Sequence, residues 1–141
     1  MKRYCFPWRQ EYSRLVGVIY RPVIEILLES QGKEWIPVEC YVDSGADVSL
    51  FPRYIGEDLL GLRLEEGVSS QPMGIAGQTV NAWIHKVSVK LGEERFESRI
   101  AFAETNLVPS LIGRTDFFDR FTVVFDHKEL KTCFVINKLQ R

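Results

Sequence analysis

From Val18 onward the apolar residues of this chain fall at every second position, a spacing that a pleated strand satisfies and a helix does not. In "PVIEILLES", Ile24, Ile26 and Leu28 alternate with Glu25, Leu27 and Glu29. In "WIPVECYV", Val38, Cys40 and Val42 share a face, and in "RFESRIAFA" Phe96, Ile100 and Phe102 keep one phase. Turn residues separate these runs: Gly32 in "SQGKE" is expected at the positive φ of a hairpin, and Pro72, Gly74 and Gly77 punctuate "QPMGIAGQTV". Two short helices are expected. Ile55, Leu59 and Leu60 are spaced to share a helical face between Pro52 and Gly61, and "TDFFDRF" predicts one or two further turns. A last hairpin follows, "FTVVF" and "LKTCFVI" about a polar turn at 126–129. The pattern predicts a mostly β protein.

One run breaks its own phase. In "TVNAWIHKVSVKLG" the apolar positions are Val80, Ala82 and Ile84, then Val87, Val89 and Leu91. No strand keeps one buried face across that switch, so a bulge is predicted, or a strand that leaves the body partway.

At 141 residues the chain supplies one domain with one modest core. Its formal net charge of -1 gives no electrostatic pull toward nucleic acid or an anionic membrane, so neither is expected as a partner. Lys2, Arg3, Arg9 and Arg14 gather at the start against Glu11 alone and read as a solvated tail. No secretory signal is expected there. "LVGVIYRPVIEILLE" is interrupted by Arg21, Pro22 and Glu25 well short of a membrane span.

Cys5, Cys40 and Cys133 are odd in number and lack metal-ligand spacing. Cys40 and Cys133 lie in apolar strands and read as small core residues in a reducing, cytoplasmic setting. His85 and His127 are far apart with no acidic cluster at ligand spacing, so no metal and no cofactor are expected. His85 is expected to face solvent, His127 to lie in a turn, and Trp83 to be partly buried.

The chemistry concentrates in "CYVDSGADVSLFP". An apolar strand runs straight into Asp43, then Ser44, Gly45 and Ala46, then a second acid, Asp47. A lone Asp-Ser-Gly is a weak signal, because Asx turns use the same residues. At the end of a buried strand, however, a carboxylate is partly desolvated, and that is costly without a purpose. Ser44 offers a hydroxyl, and Gly45 lets another group approach the backbone.

"VDSGADVSLFP" resembles the active-site turn of retroviral-type aspartic peptidases, whose motif is Asp-Thr/Ser-Gly-Ala. Their second signature, two apolar residues, Gly and often Arg, is matched by "LIGRTDFF" about seventy residues later. Between the two, "PMGIAGQTV" occupies the place of the family's flap hairpin. The resemblance covers roughly Val18 to Ile136. It implies a single-domain retropepsin-like acid-protease fold over 18–141, a closed barrel-like sheet with a flap and one or two short helices, preceded by an extension at 1–17.

It implies an aspartic-type endopeptidase acting on polypeptide without a cofactor. Asp43 takes the catalytic role, Ser44 ties two active-site turns together, and Gly45 lies beside the substrate backbone. Ala46 completes the motif. Asp47 receives a substrate amide and forms a partly buried ion pair with Arg114. Gly74, Ile75, Ala76 and Gly77 form the flap tip, and Leu111, Ile112 and Gly113 support the turn. Only one such motif is present, so a two-aspartate mechanism needs a homodimer with one Asp43 from each subunit. The alternative is a catalytically silent dimer of this fold that binds peptides or serves assembly. The last hairpin, which retroviral enzymes lack, is expected to replace their interleaved termini at the interface.

Overall fold

The structure, a computed structural model, describes residues 2–70, 73–75 and 78–137. Its centre is built on strands β4 (Val23–Glu29), β5 (Trp35–Val42), β6 (Ser49–Phe51), β10 (Ala82–Leu91), β11 (Glu94–Ala103) and β12 (Leu111–Ile112), the first three strands being β1 (Arg3–Pro7), β2 (Arg9–Ser13) and β3 (Gly17–Arg21). β4 and β5 form an antiparallel hairpin, β5 pairs in parallel with β12, and β12 meets β6. β6 then runs parallel to β11, β11 pairs with β10, and β10 returns to β4 through Val89 and Leu28. Six strands thus close into a barrel, which leaves no open sheet edge among them.

The barrel encloses what the alternation predicts. Ile26, Leu28, Val38, Cys40, Val89, Leu91, Ile100, Phe102 and Ile112 are buried in one cluster. A smaller cluster gathers Leu50, Ala82, Ala101, Ala103 and Val108. The phase switch of "AWIHKVSVKL" is explained by these two clusters. β10 pairs with β11 in unbroken register from Ala82↔Ala103 to Leu91↔Glu94, so there is no bulge. Ala82 and Ile84 pack on the smaller cluster, whereas Val87, Val89 and Leu91 pack on the larger one. One straight strand serves both clusters with opposite faces. The chain does break earlier, at Asn81, which separates β10 from β9 (Gln78–Val80).

β7 (Val68–Ser69) adds to β10, and β8 (Met73–Ile75) pairs with β9 in a hairpin of its own. The helical turn Ile55–Leu59 buries Ile55, Gly56 and the following Leu60, while Leu59 is exposed, contrary to the expected face. Gly56 is there because a Cβ would lie 2.7 Å from the Phe102 ring. Gly61 ends the turn at φ +72°, as expected, but in the β4–β5 turn the positive φ belongs to Lys33 and not to Gly32. Arg114–Phe118 is a kinked turn rather than a regular helix, with Thr115 extended and Asp116 left-handed.

The start of the chain is not a solvated tail. β1 pairs along its whole length with β14 (Lys131–Ile136), which pairs with β13 (Phe121–Asp126). Edge-to-face contacts of Phe96 with Phe117 and Phe121, and of Phe121 with Phe134, fasten this three-stranded sheet to the barrel. Cys5 and Cys133 are register partners in it and are joined by a disulfide. Cys133 is therefore buried, as expected of it, but not free, and Cys40 is the free buried thiol. Nothing in a basic, irregular N-terminal pattern announces a strand whose partner lies 128 residues away.

Candidate active site

β5 ends at Val42, and Asp43 leaves the barrel at the rim, half-buried. The backbone fixes it twice: its N–H donates to the Ile112 carbonyl at 2.9 Å, and Val42 N–H donates to the Pro22 carbonyl at 2.9 Å. The carboxylate Oδ1 then accepts the Gly45 N–H at 2.9 Å, an Asx-type turn that holds the side chain against its own loop. A Cβ at Gly45 would lie 3.3 Å from that oxygen, tighter than a side chain tolerates comfortably. Ser44 and Gly45 are exposed beside it.

The "LIGRT" segment braces this turn from beneath. Arg114 N–H donates to Ala46 O at 2.9 Å, and Thr115 donates to Asp47 O from its N–H at 3.0 Å and its hydroxyl at 2.7 Å. Arg114 Nη1 reaches Ser44 O at 2.8 Å, and Nη2 pairs with Asp47 Oδ1. The turn and its brace approach so closely that a Cβ at Gly113 would lie 2.7–2.8 Å from the backbone of Ala46 and Val48. That contact explains the glycine, whose φ of -111° needs none. Gly113 N–H is satisfied by the fully buried Ser49 hydroxyl at 3.0 Å.

Asp43, Ser44, Gly45, Ala46, Asp47, Leu111, Ile112, Gly113 and Arg114 are thus brought together. The Asp47–Arg114 pair is formed, but it is exposed rather than partly buried: the Asp47 side chain is 88% accessible and that of Arg114 51%. Gly74 and Ile75 lie in β8, opposite Thr79 and Gln78; Ala76 and Gly77 lie outside the described residues. Ser49 and Thr115 were not legible as part of the site. A serine in the inward phase of "SLF" is the one clue, because a buried hydroxyl needs a partner.

His85 is half-buried rather than fully exposed: its Nε2 lies 2.9 Å from Leu64 O and its ring meets Phe102 edge-on. Trp83 packs partly buried against the main core, and His127 lies against Trp8. Burial pushes the Cys40 thiol far up, which keeps it protonated and unreactive. Among the described residues no group of three or more His, Cys, Asp or Glu could hold a metal, and no helix is long and apolar enough to cross a membrane.

A closed barrel whose rim carries an Asp-Ser-Gly-Ala turn braced by an apolar-apolar-Gly segment is the retropepsin-like fold, and this chain has it. It is similar to a retropepsin-like aspartic protease from Rickettsia conorii, with a TM-score of 0.64 and 17% identity over 94% of this chain and 98% of that one. It is also similar to EIAV protease complexed with the inhibitor HBY-793, with a TM-score of 0.51 and 21% identity over 72% and 86%. No family model and no curated protein matches the sequence.

Proposed function

We propose that this chain is an aspartic endopeptidase in which two Asp43 carboxylates, one from each subunit of a homodimer, activate a water against a peptide bond. The observation that carries this reading is the half-buried Asp43 carboxylate, held at the barrel rim by the Gly45 N–H, in a fold shared with the retropepsin-like aspartic protease from Rickettsia conorii. The chain supplies one such aspartate, and a second copy supplies the other.

In aspartic proteases generally, two carboxylates about 3 Å apart cannot both ionise and share one proton. The ionised member takes a proton from water, and the protonated member polarises the scissile carbonyl. Ser44 would tie the two turns across the axis, and Asp47 would receive a substrate amide beside Arg114. An extended polypeptide would pair along the site like an added strand, beneath a flap formed by the β8–β9 hairpin with Gly74, Ile75, Ala76 and Gly77. Residues 18–141 would form the catalytic domain, with 1–17 as an extension that lends it β1.

The redox state of the thiols would report the compartment. A cytoplasmic chain would hold Cys5 and Cys133 reduced, and an oxidising compartment would hold them bridged. Trapping free thiols by alkylation in acid-quenched cells separates the two.

The test of activity is a peptide-library digest across pH with Asp43→Asn as control. The parent should cleave with a bell-shaped profile and an acid optimum, both apparent pKa values belonging to the pair. The variant should keep its fold and lose cleavage. Equal cleavage by both proteins refutes the mechanism. A parent that binds peptides yet cleaves none at any pH identifies a peptide-binding module instead.

A further inference from the structure

β2 and β3 form a hairpin that joins no other sheet. Its ladder runs from Arg9↔Arg21 to Ser13↔Gly17, and Gly17 closes the turn at φ +82°. Opposed residues share a face, so Glu11 and Ile19 lie on one side and Tyr12, Val18 and Tyr20 on the other. The Glu11 side is fastened to the barrel. Its carboxylate pairs with Arg9 and Arg21 and accepts the Tyr41 hydroxyl at 3.4 Å, and Arg9 reaches Glu39 at 3.4 Å.

The other side has no such cover. Tyr12 is 77% exposed, the tip residues Leu15 and Val16 are 94% and 72% exposed, and Val18 and Tyr20 are exposed as well. A lone two-stranded hairpin is marginal in water, and the largest open apolar patch on a protein is often a functional surface. These five side chains present on the order of 500 Å² of surface, a large share of the roughly 800 Å² that each partner of a standard interface buries.

The position of the hairpin points to its partner. Tyr41, which anchors it, precedes Asp43 by two strand residues, about 7 Å along β5. Pro22, which directly follows β3, accepts the Val42 N–H. The base of the hairpin that carries the patch therefore sits beside the element that the proposed mechanism places on a two-fold axis. β1 and β14, the terminal strands, are already paired within one chain.

We infer that the β2–β3 hairpin is a dimerisation arm whose Tyr12–Val18–Tyr20 face and Leu15–Val16 tip pack on a second copy of this chain. The inference rests on the two-aspartate reading for its axis. It moves the interface from the final hairpin to the first.

Sedimentation velocity of the full chain over a dilution series tests it, with Tyr12→Glu/Val18→Glu and the milder Leu15→Ser/Val16→Ser as variants. The parent should dimerise, and each variant should raise the dissociation constant by about 100-fold with an unchanged circular dichroism spectrum. The tip variant decides the matter if the charged one does not fold. A parent that is monomeric throughout, or tip variants that dimerise like the parent, overturns the inference. So does a monomeric parent that co-floats with phosphatidylcholine–phosphatidylserine vesicles through the same residues, since the face then serves a membrane. Loss of the dimer in variants of a parent that cleaves nothing keeps the arm and ends the peptidase reading. Cleavage by a parent whose dimer ignores the hairpin does the reverse.

Discussion

At the scale of single residues, the site depends more on what lies beneath the aspartate than on the aspartate's own contacts. Ser49 is fully buried, and its hydroxyl is the partner of the Gly113 N–H. Ser49→Ala should therefore destabilise the fold by about 1–3 kcal/mol, the cost of a buried N–H left unsatisfied. Gly113→Ala should cost at least as much, because a Cβ there meets backbone that cannot swing aside. Urea titration checks both. Arg114→Ala should behave otherwise. A partly buried pair would cost about 3–5 kcal/mol to break. This pair is exposed on the single chain, so monomer stability should fall by less than about 1 kcal/mol. A larger loss seen only at dimer-forming concentrations would place the pair under the partner subunit.

At the scale of elements, strands with a private phase were legible and those that depend on a distant partner were not. β4, β5 and β11 could be read off because every second residue faces one core. β1 could not, since Arg3, Cys5 and Pro7 face outward and only β14 gives the segment a reason to extend. The short helical turn after Gly113 is present but kinked, for a related reason. "TDFFDRF" has the composition of a helix, but Asp116 is held left-handed by Arg99, whose N–H and guanidinium bond its carboxylate at 2.8–3.2 Å. Burial raises the Asp116 pKa, but the Arg99 hydrogen bonds and charge outweigh it and hold the carboxyl below the ordinary value. A lowered folded-state pKa adds stability above the unfolded value and loses it as pH falls through the folded one. The parent should therefore lose stability below about pH 4, and Asp116→Asn should flatten part of that slope. Urea midpoints from pH 2 to 6 measure it, and identical slopes would mean that the clamp contributes nothing.

At the scale of the whole molecule, the Asp43 turn and its brace come from segments about seventy residues apart, and only the closed barrel brings them into register. The motifs could be recognised in the sequence, but the hydrogen bonds between them belong to the fold. The Cys5–Cys133 bridge acts at the same scale, since it spans 128 residues and restricts nearly the whole unfolded chain. Cys5→Ser should lower stability by about 2–5 kcal/mol under oxidising conditions and by nothing in excess reductant. Guanidinium titration with and without dithiothreitol reads this directly. The bridge also closes residues 5–133 of the oxidised polypeptide into a covalent ring. A single cut anywhere between Cys5 and Cys133, by the molecule itself or by another protease, opens the ring and releases no fragment. Such a nicked molecule should run as one species on a non-reducing gel and as two on a reducing one, so a cut just after Cys5 would become visible only after the thiols are freed.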